Sequence, residues 1–480
     1  MQIKSREQIK KIKKTSNEGN REPKAKYEMD MCNGPILKKL LIFTLPLMCS
    51  SMLQLLFNAA DIIVVGRFAG DNSLAAVGST TSLILLLSNL FIGLSVGANV
   101  LAARYFGAKR GNELSKTVHT SLLLSLISGL ALAVIGVIAS KPILMLMDTP
   151  DTVIDLSALY LRIYFLGMPA TLFYNFGSAL LRAKGDTKRP LMYLSFAGIT
   201  NVSLNLLFVA AMNMDVAGVA IATVTSQCIS AFLILRCLIH ETGGFRFSFK
   251  KLRLHKDKLK MILQIGLPAG IQSTLFSLSN VIIQASINSF GDVSMAGSAA
   301  AANIEGFVYV AMNSFYQAAL SFTSQNVGAG RYERINKIMI KSVACVTVTG
   351  LVLGNFAYLA GNTLLGLYTT SHAVVLEGLK RMSYVSVWYF LCGIMDTLVG
   401  VLRGLGYSVV PMLVSLVGAC LLRIVWIMTV FQIPQFHLLD TVYISYPVTW
   451  TITIVAHFIF YMWIMKKKIN PLMRSKEVLS

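Results

Sequence analysis

Of the 22 Asp and Glu residues in this 480-residue chain, only Asp61, Glu305 and Asp396 fall clearly inside apolar runs long enough to cross a bilayer. A charged side chain at the hydrocarbon centre costs roughly 2.5–3.5 kcal/mol on insertion scales. Carboxylates kept there at that cost are candidates for chemistry, since an acid shielded from water exchanges a proton or attracts a cation near neutral pH. Pairing with a neighbouring helix is the plainer alternative for each. It weighs most for Glu305, which lies only a few residues from the outer end of its run. Neutral polar residues accompany the acids. Asn201 and Asn205 stand four apart and so share a helical face, as do Thr223 and Gln227, and Asn313 and Gln317; Asn175 lies near the end of its run. Buried amides must find partners in lipid, either in a site or as contacts between helices.

The elements that would hold these residues are membrane helices. The chain is 55% hydrophobic and 14% charged, whereas a soluble domain carries roughly 25% charged residues. Apolar runs such as 122–140, 191–212 and 413–431 are each long enough for a hydrocarbon core of about 30 Å. Hydropathy and turn signals predict an all-α membrane protein with twelve spans, near 36–65, 74–103, 117–140, 156–180, 190–212, 216–239, 260–289, 296–327, 336–361, 380–402, 409–431 and 442–465. Pro46, Pro169 and Pro268 mark places where spans are expected to kink. Gly93 and Gly97 form a G-x-x-x-G, a weak signal that favours close packing.

Basic residues set the orientation. Counting those that flank each span, 37 of the 43 Lys and Arg residues lie on the side of the termini. Both termini are therefore expected in the cytoplasm, with the protein in the plasma membrane. The leading residues are polar and lysine-rich, with no apolar segment of a signal peptide before the first span. The net charge of +21, including KKIKK at 10–14, reads as topology and contact with anionic lipid, with no nucleic-acid partner.

The sequence also repeats itself. GLPAGIQSTLFSLSN (266–280) echoes TLPLMCSSMLQLLFN (44–58), VGAGRYERINK (327–337) echoes FGAKRGNELSK (106–116), and VLRGLGYSVVP (401–411) echoes LLRAKGDTKRP (180–190). All three pairs share an offset of 221–222 residues. The organisation that follows is a basic tail (1–35), a six-helix lobe (36–239), a cytoplasmic linker (240–259), a second homologous six-helix lobe (260–465) and a basic tail (466–480). Six is even, so the repeat is parallel, and a substrate cavity between lobes that rock in alternating access is expected.

Motifs for other functions are absent. The sequence contains no G-x-x-x-x-G-K-[ST], no H-E-x-x-H and no G-x-G-D; GLSVG (93–97) matches a hydrolase elbow but lies within an apolar run. The seven cysteines show no C-x-x-C pair and suggest neither metal nor disulfide. An enzyme is not expected, nor a cofactor.

LPLMCSSMLQLLFNAADIIVVGRFAG (45–70), ARYFGAKRGNELSK (103–116) and LLRAKGDTKRP (180–190) resemble the multidrug and toxic-compound extrusion (MATE) family, and the resemblance extends over nearly all of 35–465. It implies twelve helices in two lobes and a monomer that exports amphipathic, often cationic, compounds against inward H+ or Na+ flow. The family's first-helix aspartate couples to the cation, and Asp61 matches it. Asn201 matches a fifth-helix asparagine, Asn205 stands where an aspartate would be, and Thr223 approximates a sixth-helix hydroxyl. With Asn175, these form the expected coupling site, for H+ or for Na+ near Asp61. A seventh-helix glutamate of some relatives is Phe276 here, and a tenth-helix aspartate is Cys392, with Asp396 one turn later. Glu305, Asp396, Asn280, Asn313 and Gln317 are the expected lining of the substrate cavity, with Pro46 and Pro268 as helix kinks. A lipid-linked oligosaccharide flippase of the same superfamily is the alternative. Its cavity would need several arginines, and Arg162 and Arg423 are the candidates, unless they reach to the outer interface.

Overall fold

The computed structural model describes residues 27–473. The expected basic tails at 1–26 and 474–480, KKIKK included, lie outside the described residues. Among the described residues the regular structure is helical: α1 (Ile36–Phe68), α2 (Asp71–Gly107), α3 (Gly111–Leu146), α4 (Asp151–Leu166), α5 (Met168–Lys184), α6 (Lys188–Asn205), α7 (Asp215–Ile239), α8 (Lys256–Asn288), α9 (Asp292–Gly328), α10 (Ile335–Leu359), α11 (Gly361–Gly366), α12 (His372–Tyr384), α13 (Tyr389–Gly404), α14 (Val409–Ser415), α15 (Leu422–Met428) and α16 (Leu439–Ile464). In lipid, backbone groups must be satisfied within the chain, and apolar runs of this length achieve that as helices.

Among the described residues, nine helices are long and apolar enough to cross a membrane, and eleven spans result when the bent pairs α4–α5 (46°) and α12–α13 (47°) are each taken as one. The remaining long helix, α9, has 37 residues like α2, but it falls short in apolarity because it carries Glu305, Asn313, Gln317 and the run SFTSQN. It packs against α1, α2, α10, α12 and α13, so protein rather than lipid surrounds most of it. A helix sheathed in this way has no need of an apolar exterior.

Pro46 and Pro268 lie inside continuous helices. Pro169 sits in the first turn of α5, at the α4–α5 bend, where its missing N–H costs nothing. The matching bend at 385–388 has no proline, and its apolar sequence VSVW gave no sign of it.

The helices before and after the 240–255 connection form two bundles, joined most extensively by α2 against α8. A Cβ on Gly93 would overlap the backbone of Gly270, so this contact requires glycine. Towards the end where α1 begins the bundles lock reciprocally. Arg104 of α2 donates to the Gly404 carbonyl of α13 at 3.0 Å. Gln325 of α9, which occupies the place of Arg104 in the repeat, donates to the Ala183 carbonyl of α5 at 2.7 Å. The segment before α1 bridges both bundles here: Glu28 lies 3.5 Å from Lys184, and Asn326 donates to the Met31 carbonyl at 3.1 Å.

A buried ion cluster ties the same end of the first bundle. Lys184 pairs with Glu241 at 2.8 Å, and Arg189 pairs with both Glu241 and Asp186. Burial pushes the Glu241 carboxyl up, but Lys184 and Arg189 outweigh it and hold the group below the usual glutamate range. A carboxyl depressed in the folded state contributes stability above its unfolded pKa and loses it as pH falls through the folded value. Glu241→Gln is therefore expected to lower stability at neutral pH by up to about 3–5 kcal/mol. Thermal unfolding of the detergent-purified protein should show the gap from wild type closing as pH falls below about 4; a gap independent of pH would contradict the assignment.

Candidate functional site

Three neighbouring helices of the first bundle, α1, α6 and α7, bring four of the expected residues together. Asn205 Nδ2 donates to Asp61 Oδ1, and the same amide lies 3.3 Å from Asn201 Oδ1. Thr223 Oγ1 donates to Asp61 Oδ2 at 3.5 Å, while Asn201 Nδ2 donates to Thr223 Oγ1 at 3.4 Å. Both asparagines are buried. The i, i+4 spacing on α6 sets them one above the other, and a π-helical turn, Leu206–Ala211, begins directly after Asn205. Such turns are frequent at functional sites. The partners of Asp61 are all uncharged. Tyr160 and Tyr164 of α4, which the sequence did not single out, lie within electrostatic reach of it. Asn205 Oδ1 is buried without a hydrogen-bond partner. The cluster thus presents one carboxylate and neutral oxygens, a set that suits a proton or an alkali cation. Among the described residues no group of three or more His, Cys, Asp and Glu forms a metal site.

The second bundle does not duplicate this cluster. At an offset of 222, Asp61 corresponds to Ile283, Asn201 to Arg423 and Thr223 to Ser445. Arg423 is buried, donates to Thr449 Oγ1 at 2.9 Å and lies 3.9 Å from the Tyr446 ring centroid. It therefore does not reach to the interface, whereas Arg162 is exposed.

Glu305 differs from its expected place in the cavity. Its carboxylate meets Arg381 of α12 at 2.8 Å, and Arg381 also donates to Ser298 at 2.9 Å. Both side chains are almost fully buried. A guanidinium and a carboxylate left in low dielectric are held by each other, so Glu305 is occupied structurally.

Between the bundles lies a cavity of about 320 Å³. Asp396, Asn313 and Gln317 line it as expected, whereas Asn280 is exposed on α8 and does not. Asn175 lines this cavity rather than the Asp61 cluster, its amide donating one turn back to the Thr171 carbonyl at 2.9 Å. The difference arises because α5 faces the bundle interface while Asp61 turns towards α6 and α7.

Two lining residues escaped the sequence reading. Arg182 and Arg403 close the last turns of α5 and α13. Hydropathy assigned them to connections, because span ends cannot be read to within a turn. The repeated L-R-[AG] of LLRAKG and VLRGLG was the signal that could have found them. Arg403 donates to Tyr316 Oη at 2.7 Å and to Gln272 Oε1 at 2.8 Å.

Comparison with known proteins agrees with this arrangement. The family model described as MatE matches residues 46–207 and 268–429, the two copies of the repeat. A probable multidrug resistance protein, YoeA of Bacillus subtilis (strain 168), is 27% identical over 442 residues, spanning 90% of this chain and 95% of the relative. An FAD transporter of Shewanella oneidensis is 26% identical over 327 residues, or 66% of this chain and 71% of that one. A solved structure described as the outward-facing conformation of a multidrug resistance MATE family transporter superposes with a TM-score of 0.85 at 21% identity, covering 94% of this chain and 100% of that one. Two matched copies of one family model, each covering the first five spans of a repeat, leave no other assignment for a chain whose described residues are helical: it belongs to the MATE family of multidrug efflux transporters, multi-span membrane proteins that are not enzymes.

Proposed function

We propose that the chain is a secondary active exporter that antiports amphipathic small molecules against protons, with Asp61 as the coupling group, in the plasma membrane with both termini cytoplasmic. The observation that carries this reading is the separation of the Asp61 cluster from the central cavity: none of Asp61, Asn201, Asn205 and Thr223 lines it. Ion and substrate then act on different faces of the first bundle and communicate through its helices. Each biases the same two-state equilibrium, as antiport requires.

Asn205 favours H+ over Na+. An amide donates to a carboxylate through its nitrogen and, turned over, accepts from a carboxylic acid through its oxygen. One side chain thus satisfies both protonation states of Asp61, and the unpartnered Oδ1 is the oxygen needed for the second. Na+ would meet a single formal charge there. A flippase is not favoured, because the named relatives are multidrug proteins and an FAD transporter.

Purified protein in liposomes tests the coupling. Norfloxacin transport should follow an imposed pH gradient and ignore an imposed Na+ gradient; the opposite pattern would make Na+ the coupling ion, and transport driven by neither would refute the antiport.

A further inference from the structure

The acidic and basic residues that line the central cavity are one aspartate and two arginines: Asp396, Arg182 and Arg403. The lining therefore carries a formal excess of one positive charge, which is the wrong sign for a site that selects organic cations. The two guanidiniums come from opposite bundles and the same position of the repeat. Both line the cavity beside Tyr316, to whose Oη Arg403 donates at 2.7 Å. No ion pair holds either arginine among the described residues. Nε of each is buried without a hydrogen-bond partner.

A cation at a helix C-terminus is favourable in itself, and both residues occupy last turns. That accounts for one charge at each helix end. It does not account for two guanidiniums lining one cavity that holds a single carboxylate, Asp396 within electrostatic reach of Arg403, nor for the Nε left over on each. An oxyanion resolves both features, because the planar guanidinium fork matches a carboxylate or phosphate. Around the floor the wall is mixed, with Tyr174, Tyr309 and Ile92 beside Asn313 and Gln317. Such a wall suits an aromatic or otherwise apolar body.

We propose that Arg182 and Arg403 form an oxyanion-binding floor, and that the substrates of this transporter are amphiphiles with an apolar or aromatic body and a carboxylate or phosphate group. The proposal rests on the exporter reading for the meaning of the cavity, but it is tested without a gradient. Carboxyfluorescein and rhodamine 6G share a xanthene body and differ in charge. Fluorescence anisotropy of each dye with the full-length detergent-purified protein measures binding alone. Wild type should bind carboxyfluorescein more tightly than rhodamine 6G. Arg182→Gln and Arg403→Gln should each weaken carboxyfluorescein about tenfold or more, as loss of a charged hydrogen bond does. Arg182→Lys and Arg403→Lys keep the charge and should recover much of the loss, which a merely misfolded variant would not show. Tighter binding of rhodamine 6G by wild type, absence of carboxyfluorescein binding, or equal losses in the Lys and Gln variants would overturn the proposal. If arginine-dependent binding is found while no ion gradient drives transport, the antiport reading fails and the oxyanion floor stands.

Discussion

Asp61→Asn is expected to abolish gradient-driven transport while the protein still folds and reaches the membrane. Asparagine has nearly the shape of aspartate, so the bond with Asn205 survives through Oδ1 and α1 keeps its contacts with α6 and α7. What disappears is the single group of the cluster able to gain and lose a charge. Coupling free energies between sites commonly amount to factors of about 5–150, and an effect at the upper end is expected because no second acid stands nearby to take over. By the family resemblance, Asn205 stands where a second acid would be. The measurement is norfloxacin export from cells, or uptake into proteoliposomes under a pH gradient, normalised to membrane-inserted protein. Undiminished transport by Asp61→Asn would remove Asp61 from the mechanism.

A second large effect is expected at Glu305 and Arg381, on stability rather than on transport. Glu305→Leu alone strands a buried guanidinium, and loss of one partner of a buried pair typically costs about 3–5 kcal/mol. The double variant Glu305→Leu with Arg381→Met removes both charges with similar volumes, and such replacements are often neutral or even stabilising by about 1–4 kcal/mol. Thermal unfolding in detergent should therefore fall sharply for the single variant and return towards wild type for the double. Transport by the double variant should persist. If Glu305 were instead a substrate-binding acid, the double variant would be stable and inactive, so the two outcomes separate the roles cleanly.

These two carboxylates show how far the sequence could be read. Both were found by one criterion, an acid inside an apolar run, and it could not tell them apart. Asp61 and Glu305 differ in what lies opposite: two uncharged side chains, Asn205 of α6 and Thr223 of α7, for one, Arg381 from α12 for the other. Arg381 lies 76 residues from Glu305 in sequence, and Thr223 lies 162 from Asp61. Local periodicity carries no information about such partners. It did place Asn201 and Asn205 on one face, because that relation is internal to a single helix.

The arginines show the complementary limit. In the sequence Arg182 and Arg403 flank spans and bear on orientation, whereas in the structure they line the cavity. A residue at a span end is polar whether it meets cytoplasm or a cavity floor, and hydropathy records only that it is polar. Similarly, α9 has low apolarity because other helices sheathe it, and the bend at 385–388 leaves no mark in composition.

By itself the sequence determined the helical membrane class, the internal repeat and the short roster of acids that lipid would penalise, because each follows from the cost of exposing polar groups along one dimension of chain. Folding alone settled which acid stands without a cation, which is locked in an ion pair, and that two arginines distant in sequence line one cavity. Those outcomes depend on which helices become neighbours, and the energies of buried charges are set by neighbours within a few ångströms rather than by position along the chain.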